Sequence, residues 1–241
     1  MEFLVGCASG TLYCTIFSDN QLKTRTIQEC HTSIISAVAF DNTSTNFSNP
    51  TANHFFVTGS VLGGLRAWDI IDYQCIGISQ TPKNGSVLAL KFLDSSSVLV
   101  STENGSVRCV DFPSLNTTKW YIATAHRNGT TCLDVTMTKE ISYLVTGGND
   151  STVRVWKLSN RELITEYSDH MKGVTQVLVD VKSPNVIHSC GLDGQVVSFN
   201  LKTNKRICNH LINNGSLINM TQRFDPKSEI EIVTCDSTVS D

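Results

Sequence analysis

Six histidines are the side chains of this 241-residue chain best suited to acid–base chemistry at neutral pH. One of them, His188, is followed directly by Ser189 and Cys190, which are candidate nucleophiles. Neighbouring residues on a strand point to opposite faces, so these side chains cannot face one another in an extended segment. Four other histidines precede apolar segments at a regular spacing, which favours a structural role: His31, His126, His170 and His210.

Two aspartates, Asp150 and Asp193, have the residue type needed for a catalytic carboxylate pair. They lie one full sequence repeat apart, however, which places them in separate structural units. The chain contains no G-x-S-x-G, H-E-x-x-H or Walker sequence. We therefore predict that the protein is not an enzyme and that it binds neither a cofactor nor a small-molecule substrate.

Nine cysteines are scattered along the chain without a C-x-x-C motif. The gaps between Cys7, Cys14 and Cys30 match no common zinc spacing, so no metal site is predicted. Five cysteines lie within apolar runs, where a free thiol behaves as a small buried hydrophobe: Cys75, Cys109, Cys132, Cys190 and Cys235. Unpaired thiols indicate a reducing compartment.

Three arginines, Arg66, Arg108 and Arg154, occupy the same position in successive repeats. A ring of guanidinium groups could recognise carboxylates or phosphates on a partner. The alternative is that arginine is simply ordinary at this strand position.

Two segments, residues 41–53 with Phe47 and residues 79–86, are candidate recognition loops. Function concentrates in loops that a rigid scaffold carries, and Phe47 could anchor a partner. A surface insert without function is the alternative for both segments.

Composition excludes several classes of protein. The chain is 40% hydrophobic and 17% charged, as expected of a globular rather than a disordered protein. With 19 basic and 22 acidic residues, the net charge of −3 offers no overall attraction to nucleic acid or anionic lipid. No apolar run approaches the roughly 18 residues that span a bilayer, and the first residues lack the basic region of a secretion signal. We therefore predict a cytoplasmic protein that is not secreted and binds neither membranes nor nucleic acid.

A sequence repeat organises the candidate residues. Five aligned segments end at intervals of 42 to 53 residues, at Thr15, Trp68, Val110, Trp156 and Phe199. Most begin with a tight turn such as Asn-Gly or Asp-Gly, which is a strong hairpin signal. Apolar strands precede each turn and a more polar strand follows the segment. A period of about 40–45 residues is typical of propeller blades.

These segments resemble the WD-repeat family of β-propellers. The best match is Ala125-His126 followed by Y-L-V-T-G-G-N-D-S-T-V-R-V-W at residues 143–156. The resemblance implies a structural tetrad, which is a buried hydrogen-bonded network of a histidine, a serine or threonine, an aspartate and a tryptophan. Its members in this sequence are His126, Thr146, Asp150 and Trp156.

Two other repeats keep three of the four tetrad residues: His170, Ser189 and Asp193 in one, and His31, Thr58 and Trp68 in the other. Phe199 replaces the tryptophan of the first, and its ring cannot donate a hydrogen bond. Leu62 stands in the place of the aspartate of the second. A further repeat keeps Ser101 but has Asn104 in the turn and Val110 at the tryptophan position.

The resemblance predicts an all-β WD-repeat propeller in a single domain over residues 1–241. Four complete four-stranded blades are predicted, with a partial blade at each end; the blades span residues 31–79, 86–124, 126–167 and 170–210, and the partial blades 1–30 and 211–241. Family propellers usually have seven blades, so we expect the chain to be a fragment of a larger propeller.

The family resemblance also implies a non-catalytic scaffold for protein–protein interaction within a multiprotein assembly. Within the family, R-E-L at 161–163, Asp169-His170 and V-I-H-S-C-G-L-D at 186–193 resemble members associated with cilia and flagella. This predicts axonemal or tubulin-associated partners and a place in the cilium or cytoskeleton.

Two other assemblies are alternatives. A substrate receptor or adaptor of a ubiquitin ligase is expected to carry W-D-x-R, but Ile70 and Ile71 follow Trp68-Asp69, and Lys157 follows Trp156. A ribosome-biogenesis or RNA-processing factor is expected to carry a basic surface, against the net charge of −3.

Overall fold

The computed structural model describes residues 2–18, 21–27, 30–41, 55–79, 85–137, 142–212, 215–224 and 230–236. The regular elements in these ranges are all β-strands. The chain forms two compact units, Met1–Tyr121 and Ile122–Asp241. The described ranges contain no helix that is long and apolar enough to cross a membrane.

The first unit contains three antiparallel sheets, and the strands of each pair in chain order. A three-stranded sheet consists of β1 (Glu2–Gly6), β2 (Leu12–Ser18) and β3 (Gln21–Ile27). A four-stranded sheet consists of β4 (Ile35–Phe40), β5 (Phe55–Ser60), β6 (Leu65–Asp69) and β7 (Cys75–Ile78). The next four-stranded sheet consists of β8 (Val87–Asp94), β9 (Ser97–Thr102), β10 (Val107–Asp111) and β11 (Thr118–Ile122).

The second unit repeats this pattern with two four-stranded sheets and a hairpin. The first sheet consists of β12 (Thr130–Met137), β13 (Ser142–Gly148), β14 (Val153–Lys157) and β15 (Glu162–Tyr167). The second consists of β16 (Val174–Val179), β17 (Val186–Gly191), β18 (Gln195–Asn200) and β19 (Lys205–Leu211). The hairpin consists of β20 (Leu217–Phe224) and β21 (Ile230–Asp236).

These sheets confirm the predicted fold class, which is an all-β chain of four-stranded antiparallel sheets with smaller sheets before and after them. Burial accounts for the order of strands within a sheet. β9 is buried along its whole length and β17 from its second residue onward, whereas the edge strands β11 and β19 expose most of their side chains. The predicted single domain over residues 1–241 stays a prediction.

Three of the five cysteines predicted to be core thiols are buried, namely Cys109, Cys132 and Cys190. The prediction is wrong for Cys75 and Cys235, which are exposed. Cys75 begins the edge strand β7, one face of which is in contact with water, so an apolar sequence around it did not ensure burial.

One hairpin turn recurs in five sheets. It contains a residue in the left-handed region, which is glycine in four cases with φ between 75° and 85° and serine in the fifth with φ of 65°: Gly10, Gly63, Gly105, Gly194 and Ser151. The N–H of that residue donates to the carbonyl three residues earlier, as from Ser151 to Gly148 at 3.2 Å. A type I turn followed by a left-handed residue is a common hairpin connection. The turn holds the preceding residue, Asp150 or Asp193, at a fixed position.

The core of the second unit lies between its sheets. Val145 and Val155 of one sheet share a buried cluster with Ile187 and Phe199 of the next. Threonines in the bulges that interrupt β12 and β16 add hydrogen bonds from sheet to sheet, as from Thr175 Oγ1 to the carbonyl of Leu217 at 2.8 Å. The sheets of this unit are therefore joined by apolar packing and by directed hydrogen bonds.

Candidate functional site

The most complete polar network lies in the β12–β15 sheet and the segment before it. His126 is fully buried, with Nε2 2.8 Å from Thr146 Oγ1 and Nδ1 2.8 Å from Asp150 Oδ1. Trp156 Nε1 donates to the same Thr146 oxygen at 2.9 Å. The structure thus brings the four residues of the predicted complete tetrad into one hydrogen-bonded chain.

Proton positions in this chain follow from the donors available. Thr146 accepts the indole N–H, so we assign its single hydroxyl proton to the bond with His126 Nε2. His126 then donates from Nδ1 to Asp150. Burial lowers the pKa of His126, which keeps the imidazole neutral at pH 7, as this assignment requires.

Asp150 ties the hairpin turn to the segment before β12. Its Oδ2 accepts the Arg127 N–H at 3.0 Å and its Oδ1 accepts the Thr152 hydroxyl at 2.8 Å. Burial by itself would raise the pKa of Asp150, but the hydrogen bonds from Arg127, His126 and Thr152 lower it below the ordinary value. The Asp150 carboxylate therefore accepts hydrogen bonds from groups within the fold, and this favours a structural role over proton transfer.

The β16–β19 sheet repeats this arrangement without a tryptophan. His170 Nε2 lies 2.8 Å from Ser189 Oγ, and His170 Nδ1 lies 3.0 Å from Asp193 Oδ2. Asp193 also accepts the N–H of Met171 at 2.8 Å. Phe199 is buried and stacks on Tyr167 with ring centroids 4.1 Å apart. At the position where Trp156 donates a hydrogen bond in the β12–β15 sheet, Phe199 therefore makes a stacking contact instead.

The β4–β7 sheet keeps three of the four tetrad residues and the two hydrogen bonds that join them. His31 Nε2 lies 2.8 Å from Thr58 Oγ1, and Trp68 Nε1 donates to that oxygen at 2.9 Å. Leu62 occupies the aspartate position and is 60% exposed. An open cavity of about 300 Å³ has His31, Leu62 and Arg66 in its wall. Gly64 also lines the cavity, and a Cβ added to it would lie 3.7 Å from His31 Nδ1. Burial, with the nearby Arg66 charge, lowers the pKa of His31 to about 4.

The β8–β11 sheet has a different network at its turn. Asn104 Oδ1 accepts the Thr102 hydroxyl at 2.5 Å and the Ser106 N–H at 3.0 Å. Buried Ser101 donates to the carbonyl of Ala89 at 3.5 Å, and Val110 is buried at the tryptophan position. Short polar side chains here stabilise the turn without a histidine.

The three aligned arginines lie in three different environments. Arg154 donates to Glu166 Oε2 at 2.7 Å and to the carbonyl of Ala125. Arg108 is only 5% exposed, and its Nε and Nη2 have no hydrogen-bond partner among the residues that the structure describes. Burial lowers the pKa of Arg108. Arg66 lines the open cavity. Equal spacing in sequence therefore did not produce equal availability to a partner.

The structure adds one constellation that sequence reasoning missed. His188 Nδ1 lies 2.8 Å from Ser198 Oγ, and His188 Nε2 lies 3.6 Å from Asp180 Oδ2. These are the residue types of a hydrolase triad, but Ser198 is only 5% exposed, so a substrate could not reach its hydroxyl. The signal is the β17–β18 register, which pairs His188 with Ser198 and which the sequence does not show.

Two further sequence predictions concern the recognition loops and metal binding. Phe47 and most of the two candidate loops, residues 42–54 and 80–84, lie outside the described residues. Within the described ranges, no group of three or more His, Cys, Asp or Glu side chains could hold a metal ion.

Comparison with known proteins agrees with this geometry. The family model described as "WD domain, G-beta repeat" matches residues 117–157, the segment that contains the complete tetrad. The structure is similar to the crystal structure of Saccharomyces cerevisiae Sqt1, with a TM-score of 0.78 and 14% sequence identity. The similarity covers 98% of this chain and 66% of that one, so the chain spans slightly less than two thirds of the Sqt1 structure. A comparison with curated proteins finds no match.

The family match and the structural similarity support the prediction of a WD-repeat protein with propeller-type sheets. As many as 1488 chains of solved structures match this fold, so the fold does not by itself identify a partner.

Proposed function

We propose that the protein is a non-catalytic scaffold for protein–protein interaction within a multiprotein assembly. The supporting observation is that the histidine–aspartate pairs, which are the groups best suited to catalysis, hold the turns in place. His126 with Asp150 and His170 with Asp193 each form hydrogen bonds within the fold. WD-repeat propellers generally bind other proteins through loops that such a framework keeps rigid.

The β16–β19 sheet offers an example of a surface that this framework holds in place. Met171 is 83% exposed, and its N–H is fixed by Asp193. An exposed methionine on an ordered backbone provides an adaptable apolar contact at a small entropic cost. We infer that such residues next to the turns contribute to partner binding.

Affinity purification of the tagged chain, followed by mass spectrometry, tests the proposal. We expect proteins that are enriched over an untagged control and reduced with Met171→Glu. Lys172→Gln, at the neighbouring position, lowers the net charge by the same one unit and is the control for a change of charge alone. Absence of any enriched protein, together with turnover of a substrate by the purified chain, would contradict the proposal.

The particular assembly is the finer part of the proposal. We propose a ciliary or axonemal assembly with tubulin-associated partners, on the resemblance of residues 186–193 and their neighbours, and a location in the cytoplasm and cilium. Recovery of tubulin and axonemal proteins would support this assignment. Recovery of ubiquitin-ligase subunits would favour a substrate receptor, and recovery of ribosomal precursors would favour a biogenesis factor.

A further inference from the structure

The cavity of the β4–β7 sheet lies where other sheets hold a carboxylate. The turn residues Asp150 and Thr152 both contact His126 Nδ1 in the β12–β15 sheet, at 2.8 Å and 3.1 Å. The equivalent residues of the β5–β6 turn are Leu62 and Gly64. Leu62 thus replaces an aspartate with an outward-pointing apolar side chain, and Gly64 replaces a threonine with no side chain.

The β4–β7 sheet also lacks the carboxylate that neutralises the aligned arginine in the β12–β15 sheet. Arg154 pairs across strands with Glu166 and lies 3.5 Å from Asp150. In the β4–β7 sheet the strand register pairs Arg66 with Ile78 instead. Among the described residues, no acidic side chain forms an ion pair with Arg66, so none of them compensates the positive charge that Arg66 brings to the wall of the cavity.

Two neutral donors face the same space. Trp68 donates to Thr58, so the Thr58 proton goes to His31 Nε2 and leaves a proton on His31 Nδ1, as in His126. Nδ1 makes no hydrogen bond within the described ranges. The N–H of Thr32 occupies the position of the Arg127 and Met171 N–H groups, which both donate to the turn aspartate. Thr32 lines the cavity and donates to no described residue.

We propose that this cavity binds a carboxylate, the side chain of an aspartate or glutamate of a protein partner, through His31 Nδ1, the Thr32 N–H and the Arg66 guanidinium. The partner would supply the acceptor that Asp150 and Asp193 supply within their own sheets. Leu62 and Ile78 in the wall would contact the methylene groups of the entering side chain and exclude water from the ion pair. The inference rests on the proposed scaffold function and specifies the chemistry of one contact.

Carboxylate binding can be measured on the full chain without a partner. NMR titration at constant ionic strength would follow the ring nitrogens of His31 and the Nε–H of Arg66 while acetate is added. We expect saturable shifts at millimolar acetate, and similar shifts with the α-amide of N-acetylaspartate. No saturable shift with either would overturn the proposal. Tighter binding of N-acetylglycine, which presents a main-chain carboxylate, or of inorganic phosphate would overturn the assignment to an acidic side chain.

Three variants distinguish this site from general charge effects. Arg66→Gln is expected to weaken acetate binding about tenfold, because it removes one charge-assisted hydrogen bond. Arg154→Gln, the matched control at the same strand position, is expected to bind like the unmodified chain.

The double variant Leu62→Asp with Gly64→Thr restores the carboxylate turn. An added Cβ at Gly64 would lie 3.3 Å from Ser60 Oγ and 3.7 Å from His31 Nδ1, so the new side chain enters the cavity with a small adjustment. We expect this variant to melt at an equal or higher temperature and to lose acetate binding. A folded double variant that still binds acetate would overturn the proposal. If acetate does not bind but proteins are enriched in the affinity purification, the carboxylate site is wrong and the scaffold function stands. If acetate binds but no protein is enriched, the cavity still binds a carboxylate, and both the scaffold function and the assignment of that carboxylate to a protein partner are wrong.

Discussion

Removal of the Asp150 carboxylate should destabilise the second unit far more than removal of the half-buried Asp169 carboxylate. In Asp150→Ala, the Nδ1–H of fully buried His126 loses its charged acceptor, and the neutral Thr152 hydroxyl, 3.1 Å away, is a weaker replacement. Loss of a charged acceptor by a buried donor costs about 1–3 kcal/mol. The Arg127 N–H and the Thr152 hydroxyl also lose an acceptor, but water can reach them, so their loss adds only about 1 kcal/mol. We expect a total decrease of about 3 kcal/mol in the free energy of unfolding.

The control is Asp169→Ala. Asp169 accepts one hydrogen bond at 2.7 Å from Arg206, whose side chain is exposed. A pair of this kind contributes about 0.5 kcal/mol or less. Both variants remove a carboxylate from the same unit, so net charge changes equally and the comparison isolates the buried network.

Urea unfolding followed by tryptophan fluorescence measures both variants. Trp156 donates to Thr146 within the network, so its emission should report loss of the tetrad directly. If Asp150→Ala unfolds at the same urea concentration as Asp169→Ala, then the network does not stabilise the sheet and the reasoning is wrong. A large decrease in Asp150→Ala, a smaller decrease in Asp150→Asn and almost none in Asp169→Ala would support it.

Three further changes test other features. Ser151→Gly should raise the free energy of unfolding by about 0.5 kcal/mol in thermal melts, because serine adopts a left-handed φ of 65° at a position where four other turns have glycine. Arg108→Met should raise it by about 1 kcal/mol, because two nitrogens of the buried guanidinium have no partner within the described ranges; equal or lower stability in urea would contradict this. The pKa values of Asp150 and Asp193 are lowered in the fold from 3.8, so their stabilising contribution is present above about pH 4 and is lost as pH falls through the lowered values. Stability measured from pH 6 to pH 2 should therefore fall less steeply in Asp193→Asn than in the unmodified chain.

Local signals accounted for the strands and the turns. Hairpin turns and apolar alternation act over a few residues, so the repeat could be aligned without a structure. The family pattern also applies directly to the four tetrad residues between positions 126 and 156. The structure places these residues within hydrogen-bond distance of one another. The identity of the partner and the cellular location had no comparable local signal.

The environments of individual side chains could not be predicted, because they depend on burial and on strand register. Arg66, Arg108 and Arg154 share a strand position, yet their environments differ. Arg66 lines a cavity, Arg154 is ion-paired, and Arg108 is buried with two nitrogens that have no partner among the described residues. Cys75 has an apolar sequence around it but lies on an exposed edge strand. Each outcome depends on residues that are distant in sequence, which the repeat alignment alone could not identify.

The repeat, the all-β class and the positions of the turns follow from the amino-acid sequence, because they depend on contacts between near neighbours along the chain. Which polar groups have hydrogen-bond partners depends on the folded arrangement of distant segments. The substitution of Leu62 was visible in the sequence, but its consequence required the β6–β7 register that sets Arg66 opposite Ile78 and the cavity that opens beside His31. Packing between strands determines whether the space of a missing side chain is filled by neighbouring residues or remains open as a binding site.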